Sequence, residues 1–347
     1  MRRLAYVLAQ YPVASQTFVH AEIVALRRLG FDVQVVVHER GPEGVRFGDG
    51  ADGVPVPVLH AGLGDAARVL AGFDHLHGHF ADFGARVLAP LAERAGRPYS
   101  FTAHAYDLFR RDAAVRPDEW RKVAGTVHRV VAISRFHRYF ISARGVPAEQ
   151  IAVIPNAASL GELFDSAPES PRQLRRVLAV GRPVPKKGFG VLVQAWARAR
   201  TAVPELELDI VGAEGLVAEP PPGLRLWPMR EWSVVMEAMR RADLVVAPCI
   251  VAPDGDMDGI PTVLAEAGAL RRPVIASELS GVGDLVANGV NGLLVPPGDV
   301  QALAAALVRL AKRPDELNRM GVAAPALAAA HDADVVARRL VHEAFAA

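Results

Sequence analysis

Residues 254–268 read DGDMDGIPTVLAEAG and contain two carboxylates, Asp258 and Glu266, with seven residues between them. Pro261 has the backbone φ angle of a first helical turn, and the apolar run after it predicts a helix. Gly259 lacks a Cβ atom, so a ligand can approach its backbone closely. The free N–H groups and the positive dipole of a helix N-terminus suit a phosphate. The stretch therefore predicts a site for a diphosphate with hydroxyl groups on either side, which is the outline of a nucleotide-sugar.

The same stretch resembles the E-x7-E signature of the retaining glycosyltransferases of family 4, which adopt the GT-B fold. Asp258 stands where that signature has its first Glu, so its carboxylate is one methylene shorter. The resemblance implies that Glu266 binds the ribose hydroxyls of a donor and that Asp258 binds a sugar hydroxyl. It also implies that the diphosphate binds to the backbone of Gly259, Ile260, Pro261 and Thr262. Taken alone, the segment is also compatible with an acidic loop that caps an ordinary helix.

Length and composition favour two domains and exclude several classes of partner. A chain of 347 residues exceeds one typical core, and 51% of its residues are hydrophobic. The net charge of +1 argues against a nucleic-acid partner. Cys249 is the single cysteine, so no internal disulfide is possible and a reducing compartment fits. No window approaches the roughly 20 apolar residues of a membrane span. We expect a cytoplasmic protein, with peripheral membrane contact as an option.

Short apolar runs alternate with helical patterns, which predicts an α/β class with parallel sheets covered by helices on both faces. The alternation breaks at residues 161–173, which contain two prolines and are interpreted as a linker. We therefore predict two Rossmann-like, doubly wound domains that face each other across a cleft, and the resemblance to family 4 implies that they form a GT-B architecture. By the same resemblance, residues 1–160 are expected to be the acceptor-side domain and residues 174–325 the donor domain. By resemblance, the final helix within residues 326–347 crosses back to the first domain.

A second candidate segment, residues 180–188 (VGRPVPKKG), follows a predicted strand. Arg182 and Lys187 place two cations at the carboxyl end of that strand, where they can neutralise a diphosphate and stabilise it as a leaving group. The segment resembles the G-R-x-x-x-x-K-G motif of family 4, whose Arg and Lys bind the donor diphosphate. Lys186 is an additional charge with no assigned role. The alternative is a solvated turn.

Two segments of the first domain supply further candidates. Residues 102–107 (TAHAYD) resemble the H-x-x-D segment of family 4, which implies that His104 lies near the donor sugar with Asp107 beside it. A histidine satisfied by the backbone at a strand end is the alternative. Ser15, Gln16 and Thr17 precede the first predicted helix and resemble the S-x-T-F variant of exopolysaccharide-type members. They are interpreted either as acceptor-side contacts or, for Ser15 or Thr17, as a helix N-cap.

Two groups of residues have the spacing of metal ligands: His75, His77 and His79, and Asp254, Asp256 and Asp258. The histidines would share one face of a strand, but no cysteine or nearby carboxylate completes a tetrahedral set. Family 4 has a similar H-x-H-F segment without a metal. The aspartates could hold a divalent ion on a diphosphate. Because Arg182, Lys187 and the helix tip already supply positive charge, we expect no metal and no cofactor besides a nucleotide-sugar co-substrate.

These motifs occur in one order over nearly the whole chain, which resembles the exopolysaccharide-biosynthesis-like subgroup of family 4. The resemblance implies transfer of a sugar from a nucleoside-diphosphate donor to a hydroxyl acceptor, with retention at the anomeric carbon. The acceptor could be a glycan precursor, including a lipid-linked one, or a secondary metabolite. The implied catalytic residues are His104, Arg182, Lys187 and Asp258. The resemblance assigns no catalytic base to a side chain, because in such enzymes the departing phosphate is thought to take the proton of the acceptor hydroxyl. A GT-B sugar-nucleotide epimerase and a non-catalytic nucleotide-sugar-binding module remain alternatives.

Overall fold

The structure is a computed structural model that describes residues 2–13, 15–40, 58–60, 63–112 and 114–346. The chain divides into two compact units. The first unit comprises Met1–Ser159 together with His331–Ala347, and the second comprises Leu160–Ala330.

Seven parallel strands form one sheet in the described part of the first unit. In chain order they are β1 (Arg3–Tyr11), β2 (Asp32–Arg40), β3 (Val58–His60), β4 (His75–His79), β5 (Tyr99–Ala103), β6 (Arg129–Ala132) and β7 (Ile151–Val153). The order across the sheet is β3-β2-β1-β4-β5-β6-β7, so the direction of winding reverses between β1 and β4. Every residue of β4 and β5 is buried, as expected of central strands covered on both faces.

Helices cover this sheet and present apolar side chains to it. They are Thr17–Arg28, Leu63–Leu70, Ala81–Phe83, Gly84–Leu88 (a π-helical turn), Ala89–Ala95, Tyr106–Phe109, Pro117–Ala124, Arg135–Ser142, Ala148–Gln150 (a 3₁₀ turn), Ala333–Arg339 and Leu340–Ala344 (a π-helical turn). In the first of them, Val19, Ile23 and Leu26 recur at helical spacing and are fully buried. That apolar stripe holds the helix against the β1 side of the core.

The described residues of the second unit contain six parallel strands in one sheet. They are β8 (Arg176–Val180), β9 (Glu207–Val211), β10 (Leu224–Trp227), β11 (Leu244–Ala247), β12 (Val274–Ser277) and β13 (Gly292–Val295). The order β10-β9-β8-β11-β12-β13 reverses between β8 and β11. Each unit therefore has the Rossmann-like, doubly wound topology that the alternating pattern predicted, and the α/β class is confirmed.

The second unit is likewise covered by helices. They are Gly161–Asp165, Pro185–Lys187 (a 3₁₀ turn), Phe189–Ala199, Trp232–Arg241, Thr262–Ala269, Val282–Asp284 (a 3₁₀ turn), Val300–Lys312 and Pro314–Ala328, followed by the 3₁₀ turn Ala329–His331. Trp196 and Leu307, from two of these helices, are fully buried in the same cluster. In the part of the chain that the structure describes, no helix is both long and apolar enough to cross a bilayer.

Residues 161–173, which were predicted as a linker, belong to the second unit. Gly161–Asp165 is a helix with Leu163 fully buried. Farther on, the Ser170 hydroxyl donates a hydrogen bond to the carbonyl oxygen of Asn318 at 2.8 Å. The prolines interrupt the periodic pattern, but buried contacts and hydrogen bonds fasten the segment to the second core.

The C-terminal segment joins the first unit from His331, five residues after the predicted boundary at 326. The boundary lies later because the helix Pro314–Ala328, which the sequence pattern did not reveal, packs in the second unit against Thr262–Ala269. Ala333–Arg339 then packs against Thr17–Arg28, and the Ala158 N–H donates a hydrogen bond to the carbonyl of His331 at 2.8 Å. The end of the chain is thus part of the first core.

Candidate active site

Two loops of the second unit meet at the point where the strand order reverses. One loop follows β8 and contains residues 181–188, and the other follows β11 and contains residues 248–261. The Ile250 N–H of the second loop donates a hydrogen bond to the Lys186 carbonyl of the first at 2.9 Å. Ligands of doubly wound sheets bind outside the carboxyl ends of the strands at this reversal. The topology therefore brings the two sequence motifs to one ligand-binding edge.

Asp258 is the centre of an ion-pair cluster between these loops. Its Oδ2 lies 2.7 Å from Lys187 Nζ, and its Oδ1 lies 3.3 Å from Lys186 Nζ. Lys186 Nζ also lies 2.9 Å from an oxygen of Asp256. The side chains of all four residues are less than one-fifth exposed. The cluster shows a role for Lys186 that the sequence did not, because Lys186 joins the two aspartates to each other.

The cluster keeps its members charged although they are largely buried. Burial alone would raise the pKa of Asp258, but the ammonium groups of Lys187 and Lys186 outweigh it and hold that pKa below its usual value. Burial alone would lower the pKa of Lys187, but the Asp258 carboxylate outweighs it and raises that pKa. Lys187 is therefore an ammonium group and Asp258 a carboxylate, and the two charges face each other across a contact of 2.7 Å.

Gly188 allows the two loops to approach this closely. Its φ of +64° lies in the left-handed region, and a Cβ atom at this position would lie only 1.9 Å from the carbonyl oxygen of Pro248. No other residue type fits such a position without displacing the backbone. The glycine therefore sets the distance between the lysines after β8 and the carboxylates after β11.

The helix Thr262–Ala269 carries Glu266 one turn from its start. Pro261 occupies the N-cap position with φ −61°, so the helix begins one residue after the predicted position. Glu266 Oε1 accepts a hydrogen bond from the Trp232 indole N–H at 3.0 Å, which leaves its second oxygen for a ligand. Burial raises the pKa of Glu266, and the indole hydrogen bond offsets part of that effect. The indole of Trp232 thus holds the Glu266 carboxylate in place.

The remaining predicted donor-site residues surround this arrangement. Gly259 and Ile260 are buried where the chain enters the helix, and Thr262 is its first residue. Arg182 lies on the loop after β8, with its side chain exposed. Among the described residues it has no ion-pair partner, so it is not part of the Asp258 cluster and remains available to an incoming anion.

Cys249 is buried and contacts the candidate site. Its thiol donates a hydrogen bond to Asp258 Oδ2 with an Sγ–O distance of 3.3 Å. Burial, together with the Asp258 charge, raises the pKa of the thiol to about 12. Cys249 therefore acts as a neutral donor that supports Asp258 and not as a nucleophile.

In the first unit, His104 and Asp107 lie together after β5, as the H-x-x-D resemblance implied. Asp107 is fully buried, and its Oδ2 accepts hydrogen bonds from the backbone N–H groups of His104 at 3.0 Å and of Ala81 at 2.5 Å. Its Oδ1 has no hydrogen-bond partner among the described residues. Burial raises the pKa of Asp107 to about 7, although the two N–H groups oppose the shift. Asp107 thus shapes the turn that positions His104.

The three alternating histidines of β4 are all buried, and their surroundings correct one prediction. No nearby carboxylate was expected, but the donor atoms of Glu22, His77 and His79 lie within 4.8 Å of one another, a grouping that could hold a metal ion. Both ring nitrogens of His77, however, are hydrogen-bonded, to Ser100 at 2.8 Å and to Thr102 at 3.2 Å. A metal ion would have to displace these bonds, so the observed contacts favour a hydrogen-bonded network.

Ser15, Gln16 and Thr17 lie between β1 and the first helix. Ser15 and Thr17 are exposed, and Gln16 occupies the N-cap position without a capping side-chain hydrogen bond. The interpretation of Ser15 or Thr17 as the N-cap was therefore wrong, because the helix begins at Thr17. The hydroxyl groups of Ser15 and Thr17 are accessible beyond the carboxyl end of β1.

Comparison with known proteins assigns the family. Residues 15–162 match a family model described as Glycosyltransferase Family 4, and residues 175–313 match one described as Glycosyl transferases group 1. A phosphatidyl-myo-inositol mannosyltransferase of Mycolicibacterium smegmatis is 30% identical over 343 residues, which cover 89% of this chain and 83% of that protein. The chain belongs to glycosyltransferase family 4. The two matches of this glycosyltransferase fall one in each unit, as the two sets of motifs do.

Further relatives of this family 4 glycosyltransferase bear on its subgroup and its fold. The amylovoran biosynthesis glycosyltransferase AmsK of Erwinia amylovora is 33% identical over 192 residues, about half of either chain (53% and 47%). The crystal structure of Anabaena HepE in complex with UDP superposes with a TM-score of 0.76, at 19% identity and 99% coverage of both chains. Sucrose-phosphate synthase of Thermosynechococcus elongatus superposes with a TM-score of 0.76 at 20% identity, over 99% of this chain and 98% of that one. These likenesses confirm the predicted GT-B fold.

Proposed function

We propose that this protein is a retaining glycosyltransferase that transfers a sugar from a nucleoside-diphosphate donor to a hydroxyl acceptor. The observation that carries the proposal is the arrangement in the second unit of Lys187, Asp258 and Glu266. The ammonium group of Lys187, the carboxylate of Asp258 and the carboxylate of Glu266, one turn inside the following helix, lie at the strand-order reversal. These three groups suit the three parts of a nucleotide-sugar, in which a diphosphate lies between the transferred sugar and the ribose.

Each group then has a defined role in donor binding. Glu266 accepts hydrogen bonds from the ribose hydroxyls with the oxygen that Trp232 leaves free. Arg182, Lys187 and the N–H groups at the start of Thr262–Ala269 bind the diphosphate, because charged donors and a helix N-terminus stabilise phosphate oxygens. The same groups stabilise the negative charge that grows on the leaving diphosphate.

Two further roles concern the transferred sugar. Asp258 accepts a hydrogen bond from a sugar hydroxyl, and His104 contacts a hydroxyl near the reacting carbon. No side chain is assigned as a base, because the leaving phosphate takes the proton of the acceptor hydroxyl in the proposed retaining reaction. Ser15, Gln16 and Thr17 are proposed acceptor-side contacts, which their exposure permits.

We propose that donor binding does not require a metal ion. Asp256 and Asp258, the carboxylates that a divalent ion would need, are already paired with Lys186 and Lys187. A cation between them would meet two ammonium groups at close range. The lysines therefore take the place that a metal ion has in sites that neutralise a diphosphate with Mg²⁺ or Mn²⁺.

The names of the relatives support one proposal about the acceptor. The relatives include the amylovoran biosynthesis glycosyltransferase AmsK and two phosphatidyl-myo-inositol mannosyltransferases. We accordingly propose a saccharide precursor, in free or lipid-linked form, as the acceptor, ahead of a secondary metabolite. Parallel assays with a lipid-linked and a water-soluble saccharide show which form of saccharide is the acceptor.

The first test is a calorimetric binding panel of UDP, GDP, ADP and TDP, each with and without EDTA. We expect one nucleoside diphosphate to bind tightly, to be insensitive to EDTA, and to lose about 10- to 100-fold in affinity in Glu266→Ala, as expected for charge-assisted hydrogen bonds. Glu237→Ala is the matched control, because Glu237 is an exposed glutamate on another helix of the same unit. Failure of all four nucleotides to bind the wild-type protein contradicts the donor site.

A further inference from the structure

Four buried side chains of the first unit form a polar chain that ends at His104. The Tyr6 hydroxyl donates a hydrogen bond to Glu22 Oε2 at 3.2 Å, and His79 Nε2 lies 3.2 Å from the same oxygen. On the opposite side of its ring, His79 Nδ1 is hydrogen-bonded to His104 Nε2 at 3.0 Å. Tyr6, Glu22, His79 and His104 are at most 5% exposed. The chain thus links an internal carboxylate to a candidate active-site residue through one intervening imidazole.

The carboxylate of Glu22 determines which atom donates in each hydrogen bond between Glu22 and His104. Glu22 in its ionised form can only accept protons in hydrogen bonds, whereas a neutral imidazole has one N–H donor and one acceptor nitrogen. His79 Nε2 faces Glu22 off the angle of an aligned hydrogen bond, but a lone pair there would still be repelled by the carboxylate. The proton of His79 therefore belongs on Nε2, and its Nδ1 accepts. His104 must then donate from Nε2, which leaves its Nδ1 without a proton.

The surroundings favour the neutral form of the His104 ring. The imidazoles of His77 and His104 lie with their centroids 5.2 and 5.3 Å from that of His79. Burial lowers the pKa of His104, and the neighbouring histidines lower it further. A positive charge on His104 would lack water, so the ring is most stable with a proton on one nitrogen only.

Packing holds the His104 ring in place from two sides. Phe18 and Phe80 place their ring centroids 4.8 and 4.6 Å from that of His104. Phe18 and Glu22 are four residues apart on the helix Thr17–Arg28, so a single helical face supplies both the packing contact and the carboxylate. Phe80 adopts a left-handed φ of 71°, a strained conformation for a non-glycine residue. Strain of this kind is retained where a side chain must be positioned.

We propose that Glu22 and His79 are positioning residues that fix the tautomer of His104, so that His104 presents an unprotonated Nδ1 to a hydroxyl of the sugar substrate. The structural part of this proposal concerns only which ring nitrogens of His79 and His104 carry a proton. Its kinetic part rests on the proposed function, since it requires a hydroxyl-bearing substrate beside His104.

The test is solution NMR of protein labelled with ¹⁵N-histidine, in which long-range ¹H–¹⁵N correlations show which ring nitrogens carry a proton. Signals are assigned with the single variants His79→Gln and His104→Gln. We expect wild-type His104 to be protonated at Nε2 only. In Glu22→Gln, the side-chain amide can donate to His79 Nε2, so both tautomers should shift toward protonation at Nδ1. Glu22→Asp keeps a carboxylate and should keep the wild-type tautomers.

The kinetic measurement uses the donor and acceptor found for the wild-type enzyme. Glu22→Gln should lower kcat by about tenfold, with a smaller change in the KM of the donor, as expected when one hydrogen bond of the transition state is lost. Tyr6→Phe is the control, because it removes the other donor to Glu22 and leaves the His79–His104 contact in place. It should retain the tautomer of His104.

The possible results separate this proposal from the proposed function. Protonation of wild-type His104 at Nδ1, protonation of both nitrogens of His79, or an unchanged tautomer in Glu22→Gln would each overturn the proposal. The wild-type spectrum decides the first two points even if no variant folds. Absence of nucleotide-sugar turnover by the wild-type protein overturns the proposed function, while the NMR result for Glu22 and His79 still stands.

Discussion

Asp107 should make the first unit less stable as the pH rises, and replacement by Asn should remove that dependence. The side chain is fully buried, and its pKa is raised from 3.8 to about 7. The folded protein therefore retains a proton that the unfolded chain releases, so the free energy of unfolding falls as the pH rises from the unfolded pKa through the folded one. In Asp107→Asn, the amide oxygen can keep both backbone N–H bonds, and the amide group resembles the protonated acid.

The size of the effect follows from the shift of about three pKa units. At about 1.4 kcal/mol per unit, the ionised form costs the folded state roughly 4 kcal/mol above about pH 7. Part of this cost is already present at about pH 5, so wild type should lose about 2–3 kcal/mol relative to Asp107→Asn between about pH 5 and pH 8.

The assay is urea unfolding of both proteins at several pH values within that range. The difference between the two free energies of unfolding isolates Asp107, because all other titrating groups are shared. Asp118→Asn serves as a control, since Asp118 is exposed on the helix Pro117–Ala124. Parallel stability curves for wild type and Asp107→Asn would show that Asp107 remains ionised in the folded protein and would refute the reasoning.

Three further predictions concern the second unit. Lys187→Met should weaken nucleoside-diphosphate binding about 10- to 100-fold by calorimetry, because a charged phosphate contact is lost; Lys186→Met should weaken it less, and equal affinities for Lys187→Met and wild type would contradict the assignment. Gly188→Ala should lower the free energy of unfolding by more than about 2 kcal/mol in urea, because its Cβ meets a carbonyl oxygen at positive φ, whereas Gly190→Ala, with open space on a helix, should not. Cys249 should react with a thiol reagent only after unfolding, since it is buried with a pKa of about 12; rapid labelling of the native protein contradicts this.

Local patterns predicted the parts of the site that lie on one loop and one helix. Asp258, Pro261 and Glu266 are close in sequence, so the helix start and the spacing of the carboxylates could be anticipated. The pairing of Lys186 with Asp256 could not, because it joins loops that follow two neighbouring strands, and it depends on side-chain conformations that no spacing encodes. The hydrogen bond from Trp232 to Glu266 was hidden for the same reason, since it connects two separate helices.

The buried network of the first unit shows a second limit. The alternation of His75, His77 and His79 predicted that they share one face of a strand, but not what would lie opposite. β1 pairs with β4 in the register Tyr6↔His77, and the helix after β1 brings Glu22 to the same place. Strand order in a parallel sheet is set by crossover connections, which the spacing of residues does not show. The carboxylate was therefore missed, although Glu22 is visible as a charged residue in an otherwise apolar helical stripe.

The contact between Lys187 and Asp258 has a consequence for turnover. The Asp258 carboxylate lies 2.7 Å from the ammonium group of Lys187, to which the proposed function assigns the donor diphosphate. The diphosphate of an incoming donor must displace the Asp258 carboxylate from Lys187. When the nucleoside diphosphate product dissociates, Asp258 can pair with Lys187 again. If the proposed function holds, competition by Asp258 for Lys187 weakens binding of both the donor and the nucleotide product. We expect Asp258→Asn to hold a nucleoside diphosphate longer than wild type does, which stopped-flow displacement measures directly.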